Sequence, residues 1–259
     1  NVFKLLLQAG ALITIVLLYS YLQNHSSLAH APMAIVFATL GGMGITSAID
    51  LGMIILFMQM LSLASYLLVC LVRGDSNAHE AGIKYFLYGA TALSIMAYGL
   101  TFFFGLTGSL GLRTIGYTVQ GMQHHAWLAV AAGLVLVGYA FKITLVPFHF
   151  WAPDVYEGAT APISGFLSVV PKIAAVAGLI RFALFALPDG LVNWPLVLGI
   201  LAAVTMTYGN LFALRQTRMK RLLAYSSIAQ AGYVFLAVAV TGSADGAIGA
   251  AAYYLAAYL

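Results

Sequence analysis

Of 259 residues, 63% are hydrophobic and only 7% are Asp, Glu, Lys or Arg, with a mean hydropathy of +0.98, which excludes an ordinary soluble domain. The formal charge of +4 is scattered through apolar runs and short loops rather than gathered with aromatics into a patch, so nucleic acid is not an expected partner. Cys70 is the single cysteine, which excludes an internal disulfide framework and a cysteine metal site.

Apolar windows of about 20 residues recur along the chain, the length that crosses roughly 30 Å of hydrocarbon as a helix. In chain order they lie near 2–22, 31–49, 51–72, 79–106, 127–150, 159–185, 193–215, 218–241 and from 246 to the end. The runs are continuous rather than alternating, so an outer-membrane barrel is excluded. The expected fold class is an all-α polytopic membrane protein, with residues 1–259 forming one transmembrane domain that no soluble linker interrupts. The longest connection is about twenty residues, near 107–126, and its His124 and His125 are expected to be solvated. No positively charged segment precedes the first run, so it is not expected to be a signal peptide. Asn1 stands where an initiator methionine would, and Leu259 falls inside an apolar run, so an internal stretch of a longer protein is expected.

Span parity puts Arg73, Arg215, Arg218, Lys220 and Arg221 on one face, expected to be cytoplasmic by the positive-inside rule. The 22–30 and 151–158 connections are expected as loops on that face. Lys4, Arg113 and the nearby Arg181 belong to the opposite one.

Lys84, Lys142, Lys172 and Arg181 each interrupt an apolar run. A cation in hydrocarbon is costly unless it faces a bundle interior, water or a partner, so such lysines are candidates for function. Depth separates them: Lys172 falls near the midplane, Lys142 closer to the cytoplasmic side, and Lys84 is shallow with Glu80 one helical turn before it. Lys84 can snorkel to the interface, and Arg181 is expected to do so. An ammonium in low dielectric gives up its proton more readily than a solvated one, whereas a guanidinium keeps it. Lysines in series therefore suit a proton relay. Carboxylates are nearly absent from the spans and His149 is expected near a membrane edge, so metal binding has little support.

Pro147, Pro153 and Pro162 cluster around the fifth and sixth spans, and Pro147 follows Lys142 by five residues. A proline ends or kinks a helix, and irregular backbone at membrane depth lines cavities. The third run, DLGMIILFMQMLSLASYLLVCLVR, places Gln59, Ser62, Ser65 and Tyr66 along one helical face, suited to interhelical hydrogen bonds or a water-lined half-channel.

The block FKITLVPFHFWAPDVYEGATAPISGFLSVVPKIAAVAGLIRF (141–182) closely resembles the antiporter-like subunits of respiratory complex I. Within that group it is most similar to the subunit N family of bacterial proton-translocating NADH–quinone oxidoreductase, relatives of mitochondrial subunit 2 and of its chloroplast counterpart. DLGMIILFMQMLSLASYLL, EAGIKYFLYGA and MKRLLAYSSIAQAGY agree in order, so the resemblance runs from about residue 45 onward. It implies a fourteen-helix fold with inverted repeats and broken helices, of which this chain would cover about helices three to eleven.

By that resemblance Lys142 is the broken-helix lysine, Lys172 the lysine of the next helix and Lys84 an additional lysine before them. The implied function is proton translocation in the membrane arm, driven by distant quinone reduction, with Pro147 as the break and His149 shaping the path. Glu157 is either a proton collector or a solvated loop acid. NADH, FMN, iron–sulfur clusters and quinone (ubiquinone or another) would belong elsewhere in the complex, with none in this chain. The partners would be other membrane-arm subunits and the lipid bilayer, in a bacterial inner membrane. One departure stands out: Gln59 occupies the position where the family usually carries a glutamate facing the broken-helix lysine. The alternatives are a subunit of a sodium–proton antiporter or of a membrane-bound hydrogenase, and a non-conducting structural spacer.

Overall fold

The computed structural model describes residues 2–22, 30–71, 75–120, 126–187, 192–241 and 246–259; Arg73, His124, His125 and most of the 22–30 connection lie outside the described residues. The described residues form eleven helices. These are α1 (Val2–Leu22), α2 (Ala31–Ser47), α3 (Leu51–Val69), α4 (Ser76–Thr107), α5 (Leu112–Gln120), α6 (Ala126–Ile143), α7 (Trp151–Gly158), α8 (Ala161–Phe185), α9 (Trp194–Ala213), α10 (Met219–Ala239) and α11 (Ala247–Tyr258). The nine expected spans correspond to α1–α4, α6 and α8–α11. Among the described residues, seven are long and apolar enough to cross a membrane, while α2 and α11 are shorter apolar helices.

α2 packs on α3, α4 on α6 across the short α5, and α9 on α10, and α8 runs through the middle against most of the others. Its core-like sequence explains that place. From Val169 to Ile180 every residue of α8 is buried, so it is apolar all round except for Lys172. A helix of that kind belongs inside a bundle. On the outer helices α1 and α9 large side chains such as Leu5, Val16, Leu196 and Leu211 are exposed, as lipid-facing surfaces require.

Two elements differ from the sequence reading. The 107–126 connection contains α5, whose Leu112, Ile115 and Val119 turn one apolar edge inward while Arg113 and Tyr117 are exposed. At nine residues it is far too short for a span-length window to register. The Asp50–Leu51 junction is stitched to it by Leu51 N to Leu110 O (2.9 Å) and Leu112 N to Ile49 O (3.1 Å).

The second difference is at the fifth span, which does not continue to residue 150. α6 stops at Ile143, and 151–158 is not a loop but the short helix α7, with Trp151, Val155 and Tyr156 buried. That triad occupies one face of a helix too brief for hydropathy to detect.

The stop itself has a definite geometry. Leu145 N bonds Ala140 O at 2.8 Å and Thr144 N bonds Phe141 O at 3.2 Å, the pair of reverse bonds that closes a helix C-terminus. Thr144 sits between them at φ +68°, a left-handed position that normally takes glycine. A β-branched residue there costs on the order of 1–2 kcal/mol, and it is held by the surrounding packing at 0% exposure. Beyond it the backbone is satisfied from neighbouring elements. Val146 N donates to Thr205 Oγ1 on α9 (3.1 Å), and Trp151 Nε1 donates to Phe141 O (3.0 Å). Of the three clustered prolines only Pro147 lies in the break. Pro153 is in the first turn of α7 and Pro162 at the start of α8, where a proline's missing N–H costs nothing.

Candidate functional site

Lys142 occupies the last turn of α6 and is 1% exposed, so the helix break puts its ammonium beside the carbonyl-rich end of a half-helix, where a cation is favoured. Its Nζ donates to Ser62 Oγ on α3 at 2.9 Å and to Tyr85 OH on α4 at 3.4 Å. Aromatic packing fixes that geometry: Tyr85 stacks on Trp151 of α7 (4.3 Å between centroids, 14° between planes) and meets Tyr66 edge-on at 4.7 Å. The α3 face foreseen from sequence is therefore the wall of the Lys142 site, with Ser62 and Ser65 fully buried and Tyr66 nearly so.

Gln59, expected to face Lys142, does not hydrogen-bond to it. It is half-buried and has no hydrogen-bond partner among the described residues, and Ser62, three residues later, takes that place.

Lys172 lies in the middle of α8 directly after Pro171 and is 3% exposed. Its Nζ donates to the Ser227 carbonyl at 2.7 Å and to Ser227 Oγ at 2.6 Å, both on α10. Ser227 Oγ is 3.5 Å from Tyr156 OH on α7. A small cavity adjoins Lys172 between Ile143, Gln230 and Tyr258, and Gln230 accepts a hydrogen bond from Tyr254 of α11. Neither buried lysine has a carboxylate partner among the described residues. Sequence reasoning missed Ser227, Tyr85 and the inward position of Tyr156. Each lies among other polar residues of its helix, with no spacing signal to single it out.

His149, expected near a membrane edge, is enclosed by protein. It sits within the break at 1% exposure, its ring 4.4 Å from Tyr208 of α9 and 4.3 Å from Phe150, and both ring nitrogens lack hydrogen-bond partners among the described residues. The break folds it back into the bundle, which a linear count of depth along an unbroken helix cannot foresee.

The charged face is a separate assembly. Lys84 Nζ pairs with Glu80 (2.7 Å) and Asp154 (3.0 Å). Arg221 joins Asp154 (3.1 Å) and Glu157 (2.8 Å), Arg218 also pairs with Glu157, and Lys220 donates to Ala159 O (2.7 Å). These residues line a cleft of about 580 Å³ together with Tyr21 and Asp75, which puts α7, the 215–221 turn and the start of α4 on one face, as span parity requires. Glu157 is thus neither a loop residue nor a solitary solvated acid. Partial burial pushes its carboxyl up, but the guanidiniums of Arg218 and Arg221 outweigh that and hold it below the ordinary carboxylate value.

Arg181, expected to snorkel, is part-buried on the opposite side and donates to Thr46 O at the end of α2 (3.2 Å). Among the described residues no group of three or more His, Cys, Asp or Glu is placed to hold a metal ion. What the arrangement can do chemically is exchange protons at two lysine nitrogens through hydroxyl neighbours that both donate and accept.

A bundle of apolar helices with one helix broken beside a buried lysine, and a second lysine on the most enclosed helix, defines a polytopic membrane protein with an ionisable interior. The chain belongs to the family described as "NADH:quinone oxidoreductase/Mrp antiporter, TM", which it matches over residues 48–259. A relative from Moorella thermoacetica named "NADH-quinone oxidoreductase subunit N" is 41% identical over 258 residues, covering 99% of this chain and 54% of that protein. A chain in the structure of respiratory complex I from Thermus thermophilus with bound aureothin superposes with a TM-score of 0.82 at 38% identity, covering 99% of this chain and 53% of that one. A chain of the Mrp complex from Dietzia sp. shares the fold, with a TM-score of 0.83 at 22% identity over 99% of this chain and 48% of that one. The chain spans about half the length of the relatives it matches.

Proposed function

We propose that this chain is the proton-translocating part of a membrane-arm subunit of an NADH–quinone oxidoreductase, a non-redox component of that enzyme in a bacterial inner membrane. The observation that carries the reading is Lys142. It is buried at the end of a broken helix and bonded to Ser62 and Tyr85, with no acid among the described residues to fix its charge. Lys172, bonded to Ser227, would be the second station. Lys84, at the rim of the charged cleft, would serve the cytoplasmic entry, and the buried His149 would lie along the path at the Pro147 break.

We place the chain as a single transmembrane domain corresponding to about helices three to eleven of the family's fourteen. Electron carriers (NADH, FMN, iron–sulfur clusters and quinone) would reside in, or bind to, other subunits, and the partners would be neighbouring membrane-arm subunits and lipid.

Two other readings are separable. A sodium–proton antiporter or membrane-bound hydrogenase subunit has the shared fold in its favour. A non-conducting spacer has the uncharged Gln59 in its favour. Purification of the native assembly decides the first: flavin and iron–sulfur subunits co-purify in the proposed function and are absent in an antiporter. The spacer reading is decided by Lys142→Ala in the assembled complex. Proton translocation falls about tenfold or more if Lys142 carries protons, the scale of losing one proton-transfer group. A spacer loses neither translocation nor coupled turnover.

A further inference from the structure

Lys172 receives two acceptors from one residue: the Ser227 carbonyl at 2.7 Å and the Ser227 hydroxyl at 2.6 Å. The two are chemically unequal. A carbonyl oxygen can hold an ammonium but has no proton to give, whereas a hydroxyl accepts and donates at once. The carbonyl alone would leave two of the three ammonium donors unsatisfied, so the hydroxyl both helps to hold Lys172 and is the one neighbour of the pair able to exchange a proton with it.

The hydroxyl has a further neighbour, Tyr156 OH, at 3.5 Å. Lys172, Ser227 and Tyr156 are 3%, 2% and 3% exposed and come from α8, α10 and α7. Tyr156 immediately precedes Glu157, Gly158 and Ala159, which line the charged cleft. A nitrogen and two hydroxyls thus lie in sequence between the bundle interior and the helix that borders the cleft, with no carboxylate partner on any of them among the described residues.

We propose that Ser227 is the residue through which Lys172 gains and loses its proton, with Tyr156 as the next hydroxyl in the series. The proposal rests on the proton-carrying reading of Lys172 given above. When Lys172 is neutral, its Nζ lone pair takes the Ser227 Oγ proton. Ser227 Oγ takes the Tyr156 proton, and a hydronium ion from water admitted to the Tyr156 hydroxyl reprotonates it. Three O–H bonds break, two O–H bonds and one N–H bond form, and one positive charge moves from water to Lys172 with no change of oxidation state. Release is the same sequence reversed. The Tyr156–Ser227 separation is long for an O–H···O bond, so the handover requires it to close toward ~2.8 Å, a small rotation of either side chain.

The test uses the full-length subunit in the assembled, liposome-reconstituted complex, with proton translocation measured against electron-transfer rate. Ser227→Ala keeps the carbonyl that holds Lys172 and removes only the hydroxyl. It is expected to lower translocation about tenfold or more, while Ser227→Thr, which restores a hydroxyl, stays within about twofold of the native rate. Lys172→Ala is measured beside them. If Ser227→Ala translocates normally and Lys172→Ala does not, Ser227 only holds the lysine and the relay is wrong, while the proton-carrying reading stands. If both translocate normally, that reading falls as well. Equal loss in Ser227→Ala and Ser227→Thr marks a packing role and overturns the relay. Should Ser227→Ala fail to assemble, Tyr156→Phe decides, since a native rate without that hydroxyl contradicts the proposed sequence.

Discussion

The interior lysines and the charged rim treat the same functional group in opposite ways. At the rim, Lys84 has two carboxylates within 3.0 Å, and one of them, Asp154, is shared with Arg221, which also pairs with Glu157 beside Arg218. In the interior, Lys142 and Lys172 are bonded to hydroxyls and one backbone carbonyl. An acid partner fixes a proton on a lysine, and a hydroxyl leaves it free to come and go. Under the proposed function, this chain keeps its permanent charges where water screens them and its variable ones where water is scarce. α7 joins the two regions: Trp151 and Tyr156 face the lysines, while Asp154 and Glu157 face the rim.

The largest expected effect breaks that joint. Trp151→Ala removes a 2%-exposed ring that stacks on Tyr85 and bonds the end of α6. The cost should be about 3–5 kcal/mol, read as a lower midpoint of thermal unfolding in detergent. A midpoint within one degree of the native chain would show that α7 is held by its rim contacts alone.

A subtler change places an acid near the interior. Gln59→Glu is expected to preserve or raise proton translocation in the assembled complex, by restoring the charge that the family usually carries on α3. Abolished translocation with intact assembly would show that Gln59 is not equivalent to that glutamate.

The smallest effect concerns the rim. The Glu157 carboxyl is held below its ordinary value of 4.5 by Arg218 and Arg221, against the opposing push of partial burial. A carboxyl lowered in the folded state stabilises fully above its unfolded value and loses that contribution as pH falls through the folded one. Glu157→Gln is therefore expected to cost on the order of 1 kcal/mol at neutral pH, and the difference from the native chain should vanish in acid below 4.5. Hydrogen exchange of the α7 amides at neutral and acid pH measures it, and a difference independent of pH would remove the charge from the explanation.

Much of this was legible in the sequence, because hydrocarbon imposes length and composition on each span. Each of the nine apolar runs holds a helix, and Lys142 and Lys172 are interior, as their positions in those runs implied. The hidden parts share a physical cause. α5 and α7 are amphipathic helices of nine and eight residues, below the length at which hydropathy signals. His149 was placed by counting along an unbroken helix and Tyr156 fell in a stretch read as a loop, whereas the left-handed Thr144 ends α6 and both residues are buried. The partners of the lysines, Ser62, Tyr85 and Ser227, depend on which helices meet. No local pattern in a single sequence records that.

The most direct measurement compares the two regions in one assembled, reconstituted complex. Protons translocated per electron are counted for the native protein, for Lys142→Met/Lys172→Met and for Lys84→Met. A clear fall in the ratio is expected for the interior pair and a smaller one for Lys84→Met, with the complex intact in each case. A native ratio in the interior pair, or a larger loss from Lys84→Met, would contradict the assignment of the variable charge to the interior.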